Sequence, residues 1–199
     1  GEGGDDNLIG GSGADILDGG LGTDIANYFY SLLRTGGDLV SPGVTVDLAN
    51  AALNAGAAAG DSYIAIENIY GSAFADTLRG DAGANSIQGD AGGDILWGRA
   101  GDDSLLGGEG NDYIYGDAGN DNLQGGVDND TLYGSSGGDY LDGGTGIDWL
   151  SYRYTDNGAE TAIGVSVDLG TGAVSGGDAA GDNIVLGSFE ALEGTQVAD

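Results

Sequence analysis

The sequence predicts an all-β protein: a parallel β-roll, a β-helix-like solenoid of nonapeptide repeats, with β-rich segments between and after them. Three observations predict it. An aspartate and an aliphatic recur together on a nine-residue period, as in "GGEGNDYIYGDAGNDNLQ" over 107–124. Glycine occurs 44 times and proline once, without the three-residue period of collagen. Acidic residues number 33 against 4 arginines, a net charge of −29.

Over 71–151 the chain divides into nine nonapeptides without insertion, each opening on a glycine. Position six reads Asp76, Asn85, Asp94, Asp103, Asp112, Asp121, Asp130, Asp139 and Asp148. Position eight reads Leu78, Ile87, Leu96, Leu105, Ile114, Leu123, Leu132, Leu141 and Leu150. Three more copies open the chain, with Asp6, Asp15 and Asp24 at position six. Positions seven to nine predict a three-residue strand with one inward side chain. Positions one to six must reverse the chain, which glycine allows by taking positive φ. Two nonapeptides close one coil of eighteen residues, so alternate repeats stack on one edge.

One aliphatic per nine residues is too little core to offset the entropy of ordering them. Stacked aspartates oppose folding further. Carboxylates about 4.8 Å apart repel by roughly 3.5 kcal/mol at an effective dielectric of about 20. A divalent cation between turns reverses that sign, and calcium takes six to eight hard oxygens of the kind aspartates and turn carbonyls supply. The eighteen-residue stack sorts the ligands into two files: Asp76, Asp94, Asp112, Asp130, Asp148, and Asn85, Asp103, Asp121, Asp139. Neighbours within the files predict seven ions, and Asp6 with Asp24 an eighth. Asn85 is neutral and predicts a weaker site. Phe74 and Asp128 replace the fourth glycine of their repeats, and Asp tolerates positive φ better than Phe.

The pattern G-G-x-G-x-D-x-U-x across 1–27 and 71–151 resembles the haemolysin-type calcium-binding (RTX) repeat family. The resemblance implies calcium held between turns by position six and by backbone carbonyls of positions two and four. These carbonyls belong to Asp90, Gly92, Arg99, Gly101, Gly108, Gly110, Asp117, Gly119, Gly126, Asp128, Ser135 and Gly137. It also implies a bacterial protein, secreted or at the cell surface, exported by type I secretion and folding in external calcium. The chain begins and ends inside repeats and is read as a fragment of a longer protein, with neighbouring domains as further partners.

Four regions follow: the repeat block 1–27, a β-rich connection 28–70 ending in a degenerate repeat, the main array 71–151, and a second connection 152–199 leading into a truncated repeat. The two connections resemble each other. "GTDIANYFYS" (22–31) matches "GIDWLSYRYT" (146–155), and "AAGDSYIAIENIYGSAFAD" (58–76) matches "AAGDNIVLGSFEALEGTQVAD" (179–199). Val44, Val46 and Leu48 alternate, as do Val165, Val167 and Leu169, and both triplets predict strands. The alanine-rich stretch 49–60 predicts a loop. Ile69 lies nine residues before Leu78, which puts Glu67 at position six of the degenerate repeat. Glu67 is read either as a solvated side chain or as a calcium ligand, and Glu190 stands in the same relation to Leu192.

Several chemistries are excluded. The four basic residues are all arginine, so a Walker loop is impossible. Nucleic acid is not a partner of so acidic a chain. Without histidine or cysteine, zinc and the corresponding catalytic triads fall away. No EF-hand loop and no apolar run of membrane-spanning length occurs. The fragment is not expected to be an enzyme. One feature is independent of calcium: an aromatic strip on the outer face of the first file. Trp97, Tyr115 and Tyr133 recur at position nine, with Tyr113 and Trp149 at position seven. It is a stabilising ladder, a surface covered by a connecting segment, or a docking face for polysaccharide.

Overall fold

The computed structural model describes residues 1–29, 33–35, 38–40, 43–152, 166–168, 171, 173–175 and 179–193. Two parallel sheets face each other. The first has eight strands, in the order Asn7–Leu8, Ile25–Asn27, Asn68–Tyr70, Ser86–Ala91, Ser104–Glu109, Asn122–Val127, Tyr140–Thr145 and Asn183–Ile184. The second has seven, in the order Ala191–Glu193, Trp149–Ser151, Thr131–Ser136, Tyr113–Ala118, Ile95–Ala100, Thr77–Arg79 and Thr45–Asp47. Within the main array each strand pairs with the one eighteen residues away: Ile87 with Leu105, Leu105 with Leu123, Leu96 with Ile114. The predicted parallel β-roll and its two-repeat coil are therefore present.

Position eight supplies the core. Leu78, Ile87, Leu96, Leu105, Ile114, Leu123, Leu132, Leu141 and Leu150 are all buried in one ladder, extended by Val46, Ile69 and Ile184. Each coil adds little apolar area, so stacking of identical coils carries the burial.

Three features differ from expectation. The seven inner strands of the array are six residues long, not three, while Thr77–Arg79 and Trp149–Ser151 at its ends keep three: Ser86–Ala91 covers positions seven to nine and one to three of the next repeat. Identical coils repeat their turns as well as their strands, so turn amides also find partners one coil away. Asp90 pairs with Gly108, and the Gly92 N–H donates to the Glu109 carbonyl at 2.8 Å. Two strands of 1–27 also join one of the main array's sheets, because Asn68–Tyr70 pairs with Ile25–Asn27 on one side and Ser86–Ala91 on the other, while Ile16–Asp18 pairs with Ser62–Ile64. Finally, the alanine-rich stretch forms two short 3₁₀ turns, Ala51–Leu53 and Gly56–Ala58. It packs on Thr45–Asp47 at the end of the second sheet, with Ala57 and Ala58 buried.

Val44 and Val46 are buried around the strand Thr45–Asp47, as their alternation predicts. Val167 lies in the strand Ser166–Asp168, which pairs antiparallel with Ala173–Ser175. Val165 and Leu169 fall outside the described residues. Among the described residues no helix is long and apolar enough to cross a membrane.

Candidate metal centres

The position-six residues form the predicted files. In each file the backbone N–H of one residue donates to Oδ1 of the aspartate one coil later. Asp76 donates to Asp94 (2.8 Å), Asp94 to Asp112 (2.8 Å), Asp112 to Asp130 (2.9 Å) and Asp130 to Asp148 (2.8 Å). On the other edge Asn85 donates to Asp103 (2.7 Å), Asp103 to Asp121 (2.8 Å) and Asp121 to Asp139 (2.9 Å). Asp6 donates to Asp24 at 2.7 Å.

The second carboxylate oxygen is left over. Oδ2 of Asp6, Asp15, Asp24, Asp94, Asp103, Asp112, Asp130 and Asp148 is buried and accepts no hydrogen bond. A buried carboxylate oxygen without a donor costs several kcal/mol. A row of them at one depth marks places for a cation.

The turns complete the donor set. All twelve residues whose carbonyls the family resemblance implies take positive φ. They include the non-glycines Asp90 (85°), Arg99 (82°), Asp117 (67°), Asp128 (81°) and Ser135 (70°). Left-handed backbone costs a non-glycine residue about 1–2 kcal/mol, so repeating it turn after turn points to a constraint on the carbonyls. The carbonyls of Asp90 and Gly92 are aimed at the α-carbons of Gly108 and Gly110 one coil later, where a Cβ would collide with them. Among the described residues no three carboxylates converge. What converges is carboxylate oxygen from stacked coils with turn carbonyls, an all-oxygen set that suits calcium and not zinc.

Burial makes the carboxyls weaker acids. It pushes the carboxyls of Asp94, Asp103, Asp112 and Asp130 up to about 7, and raises Asp76 and Asp148 as well. Backbone hydrogen bonds oppose the rise, while neighbouring carboxylates add to it: Asp112, Asp76 and Asp90 on Asp94, Asp130 and Asp128 on Asp112. Between about pH 4 and 7 the folded, metal-free chain therefore holds protons that the unfolded chain has released. The stability these carboxyls contribute is fully present below about pH 4 and is lost as pH rises through 7. Calcium must displace those protons. Circular dichroism in chelator is expected to show more β-structure at pH 5 than at pH 8. The calcium midpoint should rise below pH 7 by on the order of tenfold per unit for each proton displaced. A midpoint independent of pH between 5.5 and 7.5 would contradict this burial of the carboxylates.

Glu67 joins its file: its Oε2 accepts the Asp24 N–H at 2.9 Å, as Glu190 accepts the Asp148 N–H at 2.8 Å. Asp61 and Asp182 fill the same role and were missed by the periodicity. Asp61 Oδ1 accepts from the Asp15 N–H (2.9 Å), and Asp182 Oδ1 from the Asp139 N–H (3.0 Å). Their signal was the shared "AAGD" at 58–61 and 179–182.

The aromatic strip divides. Trp97, Tyr115 and Tyr133 stack on one another, with centroids 5.3 and 4.4 Å apart and planes within 9° and 8° of parallel. Arg79 caps the stack 4.2 Å above the Trp97 ring. Tyr113 and Trp149 are the open ones, each 47% exposed. They line a groove together with Asn111, Asn129 and Thr131.

Fold and site together define a calcium-type β-roll, in which stacked turns present carboxylate and carbonyl oxygens to the space between coils. The family of the RTX calcium-binding nonapeptide repeat matches four times, at 1–26, 70–105, 88–123 and 115–150. The matches span more than half of the sequence, and the chain belongs to that family. No curated protein matches the chain.

Proposed function

We propose that this chain is the calcium-folded module of a protein secreted by bacteria, and that it supplies structure, not catalysis. The observation that carries the reading is the row of buried Oδ2 atoms lacking donors. Calcium would be held between Asp94 and Asp112, Asp112 and Asp130, Asp130 and Asp148, Asp103 and Asp121, Asp121 and Asp139, and Asp6 and Asp24, with the facing turn carbonyls. Bound there, calcium supplies the positive charge that closes each pair of turns. Its binding free energy then becomes folding free energy. At the submicromolar free calcium of a cytosol the module stays unfolded and exportable; at millimolar calcium outside it folds. The test is the β-signal of the purified chain at those two concentrations, and the same signal at both would end this reading.

A second reading rests on Tyr113 and Trp149. Two half-exposed rings on alternate strands beside asparagine amides suit stacking on sugar rings of a polysaccharide. The stacked set Trp97, Tyr115 and Tyr133 supports the stabilising-ladder role instead. Tryptophan fluorescence of calcium-loaded protein is expected to stay flat on titration with acidic and neutral polysaccharides. A saturable change that is lost in Trp149→Ala, with folding intact, would favour the adhesive reading.

A further inference from the structure

We propose that the roll contains calcium-free coils wherever a connecting segment joins it, in which the protein's own hydrogen-bond donors take the place of the ion. The inference builds on the calcium reading and limits where it applies.

Four residues at or equivalent to position six are satisfied, whereas Asp15, Asp94 and Asp103 leave Oδ2 without a donor. Asp61 Oδ1 accepts the Asp15 N–H, and its Oδ2 accepts the Tyr28 hydroxyl at 2.8 Å. Asp182 Oδ1 accepts the Asp139 N–H, and its Oδ2 accepts the Tyr152 hydroxyl at 2.7 Å. Asp76 accepts from Val44 N (2.6 Å) and Ser72 Oγ (2.8 Å) on Oδ1, and from Ser72 N (2.5 Å) on Oδ2. Asn85 replaces the acceptor altogether: its Nδ2 donates to the Glu67 carbonyl at 2.7 Å while its Oδ1 takes the Asp81 N–H. All four are buried, as are Tyr28 and Tyr152. A hydroxyl or amide proton aimed at the oxygen repels a cation on that side and satisfies the buried group without one.

The backbone agrees independently. In the turns 71–76 and 80–85 no residue takes positive φ, in contrast to every later turn from 89 to 146. Their carbonyls therefore lack the orientation that the ion sites share. Arg99 adds a built-in cation at this level. Its guanidinium donates to the Gly80 carbonyl at 2.6 Å and forks onto Asp47 at 2.9 and 2.7 Å.

The arrangement occurs twice. Tyr28 and Tyr152 occupy matching places in "GTDIANYFYS" and "GIDWLSYRYT", and Asp61 and Asp182 close the matching "AAGD". Each connecting segment thus carries its own tyrosine–aspartate lock. The first lock, with the coil 71–88, forms a metal-free seam between the Asp6–Asp24 pair and the main array. The second closes the far end of one file. Asp76 and Asn85 then belong to the seam and not to the calcium ligands.

Native mass spectrometry at saturating calcium tests this. Asp76→Asn and Asp182→Asn are expected to bind as many ions as the parent chain, while Asp112→Asn binds fewer. Loss of an ion in either of the first two, from a parent that binds calcium, overturns the inference alone. A parent that binds none overturns the calcium reading with it. A measurement on the unmodified chain guards against a variant that fails to fold. In the calcium-saturated protein the Tyr28 and Tyr152 hydroxyl protons should give slowly exchanging proton resonances. Their absence under those conditions would overturn the locks.

Discussion

Titrated from chelator into millimolar calcium, the chain is expected to pass from a largely unfolded state to the β-roll in one steep transition. The ladder of Leu and Ile is a single side chain deep, and the aspartates stack at the spacing of the coils. Without an ion the coils of Asp94, Asp103, Asp112, Asp130 and Asp148 hold buried, donorless oxygen between them. With one, the same oxygens become ligands. Each inner turn contributes to ions on both sides, so occupancy of one site orders half of the next, which makes the transition cooperative. Midpoints on the order of 10⁻⁴–10⁻³ M are expected, as in extracellular modules. Magnesium at equal concentration should fold the chain poorly, because it demands a near-ideal octahedron and gives up its waters reluctantly. Far-ultraviolet circular dichroism reads both, and an unchanged spectrum between chelator and millimolar calcium would sink the idea.

Replacing Asp112 by alanine is expected to raise the calcium midpoint more than replacing Asp139. Asp112 stands inside its file: it accepts from the Asp94 N–H and donates its own to Asp130. It borders one ion toward Asp94 and another toward Asp130. Asp139 follows Asp121 but precedes Asp182, whose second oxygen is held by Tyr152. Only one ion depends on it. Changes to groups that merely support ligands cost about 10–100-fold in metal affinity. Loss of a ligand at two sites should therefore exceed loss at one by at least about tenfold. Equal midpoints in parallel titrations would count against the two-file register and its metal-free end.

Much of this was legible without coordinates because the repeat is local and periodic. A nine-residue period with one aspartate and one aliphatic dictates which side chains stack, so the ladder from Leu78 to Leu150 and the files from Asp94 to Asp148 and Asp103 to Asp139 follow from counting. The left-handed turns follow from where glycine recurs, and even Asp90, Asp117 and Asp128 obey, because the stack imposes the turn on whatever residue stands there.

What the tertiary structure decided lies where the period breaks. The pairing of Ile25–Asn27 with Asn68–Tyr70 joins strands of both repeat blocks in one sheet across a connection whose path no spacing rule predicts. The phenols of Tyr28 and Tyr152 reach aspartates 33 and 30 residues away. Those partners are set by how each connection folds back, not by the clock. The six-residue strands arise only when coils stack, since turn amides have no partner within a single repeat. The aromatic strip divides for the same reason. Position in the repeat puts Trp97, Tyr115, Tyr133, Tyr113 and Trp149 on one face, but side-chain packing between coils stacks the first three and leaves the last two open.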